Sequence, residues 1–250
     1  MSIASHTACQ RGPAVQVYLL GTIDYQRCLA LQDRLVYEAG DDRDGHISIL
    51  ICEHNGLLTV GRQGSRAHIL CDQHELTSRQ LAVRWVNRGG GCVLHTPGQL
   101  AIYPIVPLTA RGWTPGEYAA RLQSGIVSAL ADVGVQGQVR PNRHGVWGRS
   151  GQLVAFGVAV KHWIAYHGAF INVAPNMQLL QLIDADPLEH APSGSLVAER
   201  QQPVRMQAVR EALLRRLTEA FGCDRFHPNA GHPLLSHYQG PLRAATARVG

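Results

Sequence analysis

The chain has 250 residues, a net charge of +5 and a mean hydropathy of −0.08. Hydrophobic residues make up 45% and charged residues 16%, which excludes a long disordered tract and supplies enough apolar mass for one sizeable core. No apolar run approaches the roughly 18 residues that a membrane span needs, so no membrane span is expected. The opening MSIASHTACQRG has no long apolar stretch, and no secretory signal is expected. Cys9, Cys28, Cys52, Cys71, Cys92 and Cys223 show no paired spacing, which points away from a disulfide framework and toward a reducing cytoplasm. Of 23 basic residues one is lysine, Lys161, and no block of five or more basic residues exists. A nucleic-acid surface is therefore not expected.

Residues 1–13 read as a disordered leader. VQVYLL (15–20) reads as a strand, and Asp24 caps a helix from Tyr25 to about Tyr37 with Tyr25, Cys28, Leu31 and Leu35 on one face. ISILIC (47–52) and LLTV (57–60) are strands around a turn at His54-Asn55-Gly56. Residues 65–82 are a loop with a short helix. VRWV (83–86) runs into Gly89-Gly90-Gly91, and residues 92–95 and 99–106 are strands again. Thr114 and Glu117 make a capping box with Pro115 at the first helical position. The helix that follows carries the stripe Tyr118, Leu122, Ile126, Leu130 and Val133. LVAFGVAV (153–160) and WIAYHGAFINV (163–173) form a hairpin turning at Lys161-His162. Residues 174–202 are irregular, a helix spans about Pro203 to Phe221, and the tail 223–250 shows no period. The pattern predicts one α/β (α+β) domain over 14–222 with a mixed sheet and flanking helices.

Arg88-Gly89-Gly90-Gly91-Cys92-Val93-Leu94-His95 is the densest signal. Consecutive glycines permit positive φ and let backbone N–H groups approach a ligand. Arg88 can pair with an anion, and His95 can exchange a proton. No Gly-Lys-Ser/Thr follows, so this is not a P-loop, and no helix follows, so it is not a dinucleotide fingerprint. The plain alternative is a glycine-rich turn between strands.

RGGGCVLHTPGQLAIYPIVPL resembles the signature of the octanoyltransferases of lipoate synthesis, R-G-G-x-x-T-Y-H-G-P-G-Q-L-x-x-Y-P-I. Four further blocks agree in order: LGTIDYQRCLALQDRLV, ILICEHNGLLTVGRQGSRAHIL, HGVWGRSGQLVAFGVAVKHWIAYHGAFINV and SGSL (193–196). GGGCVLH also resembles the loop of lipoate–protein ligases. The resemblance covers roughly 15–222 and implies a single domain of the biotin/lipoate-ligase type. It implies transfer of an octanoyl group from acyl carrier protein to a lysine of a lipoyl domain, such as those of 2-oxoacid dehydrogenase or glycine cleavage proteins. In that family a cysteine carries the chain as a thioester and a lysine lowers its pKa, with no cofactor. The implied pocket for the medium-chain acyl or lipoyl group is Arg88 to His95, Ala155-Phe156-Gly157 and Gly168-Ala169-Phe170. His167 falls in the same pocket or is a satisfied sheet histidine.

The catalytic pair departs from the family. Its lysine falls on Gln152 and its cysteine on Asp186, and no cysteine lies from 93 to 222. Lys161 is nine residues past Gln152. On a strand that is roughly 30 Å, and the odd spacing turns it to the other face. Leu94 and Thr96 replace the usual tyrosine and glycine. Phe156 and Phe170 exceed the usual side chains and are expected to shorten the acyl tunnel. Cys92 is an alternative nucleophile beside His95, against the reading of a small buried cysteine. Cys52-x-His54 and Cys71-x-x-His74 resemble zinc half-sites, but no metal is expected from their spacing. Two readings follow: an acyltransferase of altered mechanism, or a non-catalytic protein that binds the acyl group or its carrier.

Overall fold

The computed structural model describes residues 14–42, 44–141, 143, 145–185 and 191–236. Asp186, the predicted leader 1–13 and the end of the tail, 237–250, lie outside the described residues. The strands are β1 (Ala14–Thr22), β2 (Ile47–Glu53), β3 (Leu57–Val60), β4 (Ala82–Trp85), β5 (Cys92–His95), β6 (Gln99–Pro107), β7 (Gly145–Gly148), β8 (Gly151–Lys161), β9 (Ile164–Asn172) and β10 (Arg225–Ala230). The helices are α1 (Tyr25–Asp41), α2 (Gln73–Ser78), α3 (Leu108–Arg111), α4 (Pro115–Asp132), α5 (Met177–Leu180), α6 (Leu196–Arg200), α7 (Met206–Ala220) and α8 (Pro233–Ser236).

Seven strands form a mixed sheet in the order β10-β1-β2-β6-β9-β8-β7, and β4-β3-β5 make a smaller sheet. β1 runs parallel to β2 and β10, while the pairs from β2 through β7 are antiparallel. Strand alternation sorts the core into two layers. Leu100, Ile102 and Val106 of β6 face the stripes of α4 (Tyr118, Leu122, Ile126, Leu130) and α7 (Leu213, Leu217). Ala101, Tyr103 and Ile105 face Cys28, Leu31 and Leu35 of α1. β6 and β9 are buried throughout, as central strands covered on both faces must be. Each fully buried Leu or Ile here contributes about 1.5–3 kcal/mol of transfer free energy.

The local start signals hold. Asp24 accepts from Arg27 N–H, and the Thr114–Glu117 capping box is complete over Pro115. The β8–β9 turn occupies His162 and Trp163, one residue later than predicted, with φ of 51° and 61°. Positive φ at both central residues is the geometry that matches strand twist in a two-residue hairpin. α7 starts at Met206, after Pro203, and the irregular stretch 174–202 contains the short helices α5 and α6. The predicted tail contributes β10, an edge strand on β1. Its Pro228 is tolerated because the edge demands no further donor.

Candidate functional site

The glycine loop links β4 to β5 and folds onto β8. Gly89 N–H donates to Val158 O at 2.8 Å, and Gly90 N–H donates to Gln63 Oε1 at 2.8 Å. Gly90 has φ +78°, and a Cβ there would stand 2.6 Å from Phe156 O. A Cβ at Gly157 would stand 2.6 Å from Arg88 Cδ. Both positions therefore require glycine, one for backbone conformation and approach, the other for approach alone. Gly91 O accepts from Gly61 N–H, so the loop is also tied to the segment after β3. The structure thus brings 88–91 against 156–158.

Arg88 is fully buried. Its Nη2 donates to Thr59 Oγ1 at 2.7 Å and to Thr59 O at 3.1 Å, and Nη1 donates to Gly89 O at 2.9 Å. The guanidinium lies over the Phe170 ring at 5.5 Å. Its Nε has no partner, and it makes no ion pair among the described residues. Burial pulls its pKa down.

Thr59 passes the contact on. Because its Oγ1 accepts from Arg88, its hydrogen is directed to His95 Nε2, 2.9 Å away. Gln99 Nε2 donates to Leu94 O and Asn172 Oδ1, so its Oε1 must accept from His95 Nδ1–H at 3.1 Å. Asn172 Nδ2 then donates to Gln152 O at 3.3 Å. A chain of buried hydrogen bonds therefore runs Arg88–Thr59–His95–Gln99–Asn172–Gln152. Burial, with the charges of His54 and Arg88, holds His95 well below the ordinary histidine value, so it stays neutral. Thr59, Gln99 and Asn172 were not singled out in the sequence, although each lies inside a matched block.

Gln152 is buried, and its backbone bonds Pro192 O and Gly194 N–H. It lines a small cleft together with Cys92, Val93, Leu94, Gln99, Ala155, Asn172, Ala185 and Ser193. The free space among them is about 10 Å³. That is at the threshold for a single water, roughly 10–15 Å³. Asp186, one position past Ala185, lies outside the described residues. Lys161 is exposed at the opposite end of β8. Cys92 Sγ donates to Ser65 O at 3.6 Å, and burial pushes its thiol pKa up. His95 is engaged by Thr59 and Gln99, not by Cys92.

Larger space lies on the α4 side. A cavity of about 340 Å³ is lined by Gly89, Gly90, Phe156, Val158, Leu122 and, at its polar side, Arg62 and Arg143. Phe156 packs in the layer facing α4 and α7, whereas Phe170 lies in the layer facing α1. The register Ala155–Phe170 and Phe156–Ala169 fixes this. The expectation that both phenylalanines shorten one tunnel is therefore corrected: they sit on opposite faces of the sheet. Ala169 faces with Phe156, and Gly168 pairs with Gly157.

His167 has φ +55° inside β9. The β6–β9 ladder keeps one register, Ile102 to Ala169 and Val106 to Ala165, which sets His167 opposite Pro104. Proline offers no N–H, and His167 N–H turns to Gln32 Oε1 at 3.1 Å. Its Nδ1 is buried without a partner. Burial, with the charges of Arg88 and Arg62, holds its pKa down at about 3.

Residues 24–218 match the family described as the lipoyl protein ligase A/B catalytic domain. An octanoyltransferase of Pelobacter propionicus is 32% identical over 215 residues, covering 85% of this chain and 97% of the relative. An octanoyltransferase of Syntrophobacter fumaroxidans is 34% identical over 170 residues, covering 66% and 72%. Among solved structures, lipoate-protein ligase A bound with ATP is similar with a TM-score of 0.73 at 14% identity, covering 88% of this chain and 90% of that one. A bipartite lipoate protein ligase of Thermoplasma acidophilum gives 0.64 at 16% identity, covering 88% of each. At these identities the structures speak for the fold. Among the described residues no helix is long and apolar enough to cross a membrane.

Proposed function

The chain belongs to the lipoyl protein ligase A/B catalytic-domain family, and from that premise we propose an octanoyltransferase-like protein of lipoate metabolism that binds a medium-chain acyl or lipoyl group without carrying it as a cysteine thioester. It works in a reducing cytoplasm beside acyl carrier protein and the lipoyl domains of 2-oxoacid dehydrogenase or glycine cleavage proteins.

The observation that carries this reading is the surroundings of Gln152. A thioester relay needs a thiolate and a nearby ammonium that favours it. Gln152 supplies a neutral amide in a cleft with about 10 Å³ to spare. Lys161 is at the far, exposed end of the same strand. Cys92 lies within the cleft walls, but its burial favours the thiol over the thiolate. The cavity of about 340 Å³ suits an acyl chain instead. It falls within the roughly 300–1,000 Å³ range of small-molecule sites and sets an apolar floor, Leu122, Phe156 and Val158, against an arginine-bearing rim.

Incubation with octanoyl-acyl carrier protein, followed by intact-protein mass, is expected to show no acyl adduct. Native mass spectrometry is expected to show a non-covalent acyl complex that Phe156→Trp abolishes by filling the cavity. The double variant Gln152→Lys with Asp186→Cys is expected to gain an adduct. Asp186→Cys alone gains less, since a thiol near pKa 8.5 is only a few per cent thiolate at neutral pH, by roughly the spacing of pH and pKa. Acylation of the unaltered protein on Cys92 would refute the proposal.

A further inference from the structure

We propose that Cys28, Cys52 and His54 form a buried binding site for one zinc ion on the α1 side of the sheet. The site adjoins the acyl-handling residues, with the His54 ring centroid 5.5 Å from that of His95, but it stands independently of the function proposed above. The sequence spacing Cys52-x-His54 offers two ligands only. The fold adds the third, because α1 packs its Cys28 against the end of β2.

The three donor atoms lie within 4.8 Å of one another. Cys28 Sγ and Cys52 Sγ are 4.0 Å apart, and Cys52 Sγ is 3.5 Å from His54 Nε2. Tetrahedral zinc with bonds of about 2.3 Å to sulfur and about 2.0–2.1 Å to nitrogen spaces its ligands by about 3.8 Å (S to S) and about 3.6 Å (S to N). These two spacings differ from the tetrahedral values by a few tenths of an ångström, and the third, Cys28 to His54, lies within 4.8 Å. Cys52 and His54 alternate onto one side of the chain at i and i+2, which aims both at α1.

The surroundings prepare each ligand for metal. His54 Nδ1 is 2.8 Å from Ile23 O, so Nδ1 carries the proton and Nε2 presents its lone pair to the sulfurs. Gln32 Oε1 accepts from His167 N–H, which leaves its Nε2 to donate to Cys28 Sγ at 3.8 Å. Tyr103 Oη is 2.7 Å from His54 Nε2 and donates to that lone pair in the metal-free protein. Its hydroxyl hydrogen turns away from Nε2 when the metal takes that lone pair. All three ligands are buried, so charge balance selects the ion. Two thiolates and one neutral imidazole make a divalent soft cation electroneutral, whereas copper(I) would leave a buried negative charge. Binding breaks two S–H bonds and forms two Zn–S bonds, and the two protons leave to solvent. No oxidant is required.

The same pair of sulfurs admits two other readings, two small buried hydrophobes or a disulfide, and the experiment separates them. Full-length reduced protein, freed of metal with a chelator, is titrated with cobalt(II) as the spectroscopic stand-in and then with zinc. The expected results are one metal per chain, a thiolate-to-cobalt charge-transfer band bleached by zinc, and two protons released per zinc. X-ray absorption of the zinc form should show two sulfur neighbours at about 2.3 Å and nitrogen or oxygen neighbours near about 2.0 Å. Cys28→Ser, Cys52→Ser and His54→Gln should each weaken binding by at least about tenfold, while Cys71→Ser and Cys223→Ser leave it unchanged. The wild-type titration and absorption data decide the matter even where a variant fails to fold. The proposal is overturned by a wild-type protein that shows no thiolate band, by a band that survives Cys28→Ser with Cys52→Ser, or by a metal-free Cys28–Cys52 disulfide in freshly isolated protein.

Discussion

Thr59→Val tests the buried polar chain at its narrowest point. Valine matches threonine in shape, so no cavity is added and the change isolates the hydroxyl. That hydroxyl accepts from the charged Arg88 Nη2 at 2.7 Å and donates to His95 Nε2 at 2.9 Å. A hydrogen bond to a charged group is worth about 1.5–3 kcal/mol, and a buried acceptor left dry costs about 1–3 kcal/mol. Arg88 keeps Thr59 O and Gly89 O, which limits the loss. The variant should therefore lose about 3–5 kcal/mol, a large part of the roughly 5–15 kcal/mol that holds a typical domain. For a chain of this size that lowers Tm by about 6–20 °C, at about 2–4 °C per kcal/mol. Thr59→Ser keeps the hydroxyl and should lose only about 1 kcal/mol, for one methyl group. Urea unfolding and thermal scans measure both. A valine variant within about 1 kcal/mol of wild type, or a serine variant equally damaged, would refute the hydrogen-bond assignment.

The remaining expectations concern packing and pH. Gly157→Ala should destabilise by about 1–3 kcal/mol in urea unfolding, because its Cβ meets the fully buried Arg88 side chain. Gly90→Val should cost about 3 kcal/mol or more and remove acyl binding in native mass spectrometry, since it strains φ +78° and collides with Phe156 O. The pKa of His167 is depressed to about 3, so the unfolded chain binds the extra proton first, and stability present above pH ~6.5 is lost as pH falls toward about 3. From pH 7 to pH 5 this one histidine should account for about 2 kcal/mol of the loss, and His167→Asn, which tolerates positive φ, should shrink the loss by that amount in paired denaturation curves. An unchanged pH dependence in His167→Asn would contradict burial of the neutral ring.

What the sequence disclosed divides by the range of the interaction that encodes it. Asp24 as a cap and the Thr114–Glu117 box are signals contained within one helical turn, and both are present in the fold. β10 is invisible in sequence because its partner β1 lies some two hundred residues earlier and its own residues are mostly exposed, with no alternation to detect. The glycine loop was legible because glycine is the residue that close approach demands. The chain through Thr59, Gln99 and Asn172 was not, because those residues come from separate blocks and only the sheet aligns their donors with acceptors.

The two phenylalanines show a different kind of miss. A two-residue hairpin turn pairs residues of opposite parity, here Lys161 with Ile164 and Ala155 with Phe170. Side chains alternate faces along each strand, so residues of like parity on the two arms must point to opposite faces. Phe156 and Phe170 are both even, and shifting the turn by one residue does not change that. Their separation followed from the sequence once a two-residue turn was assumed. The functional consequence is that Phe156 borders the open cavity facing α4, while Phe170 supports Arg88 on the α1 side. A substitution at 156 should therefore alter ligand size, and one at 170 should alter the seating of Arg88.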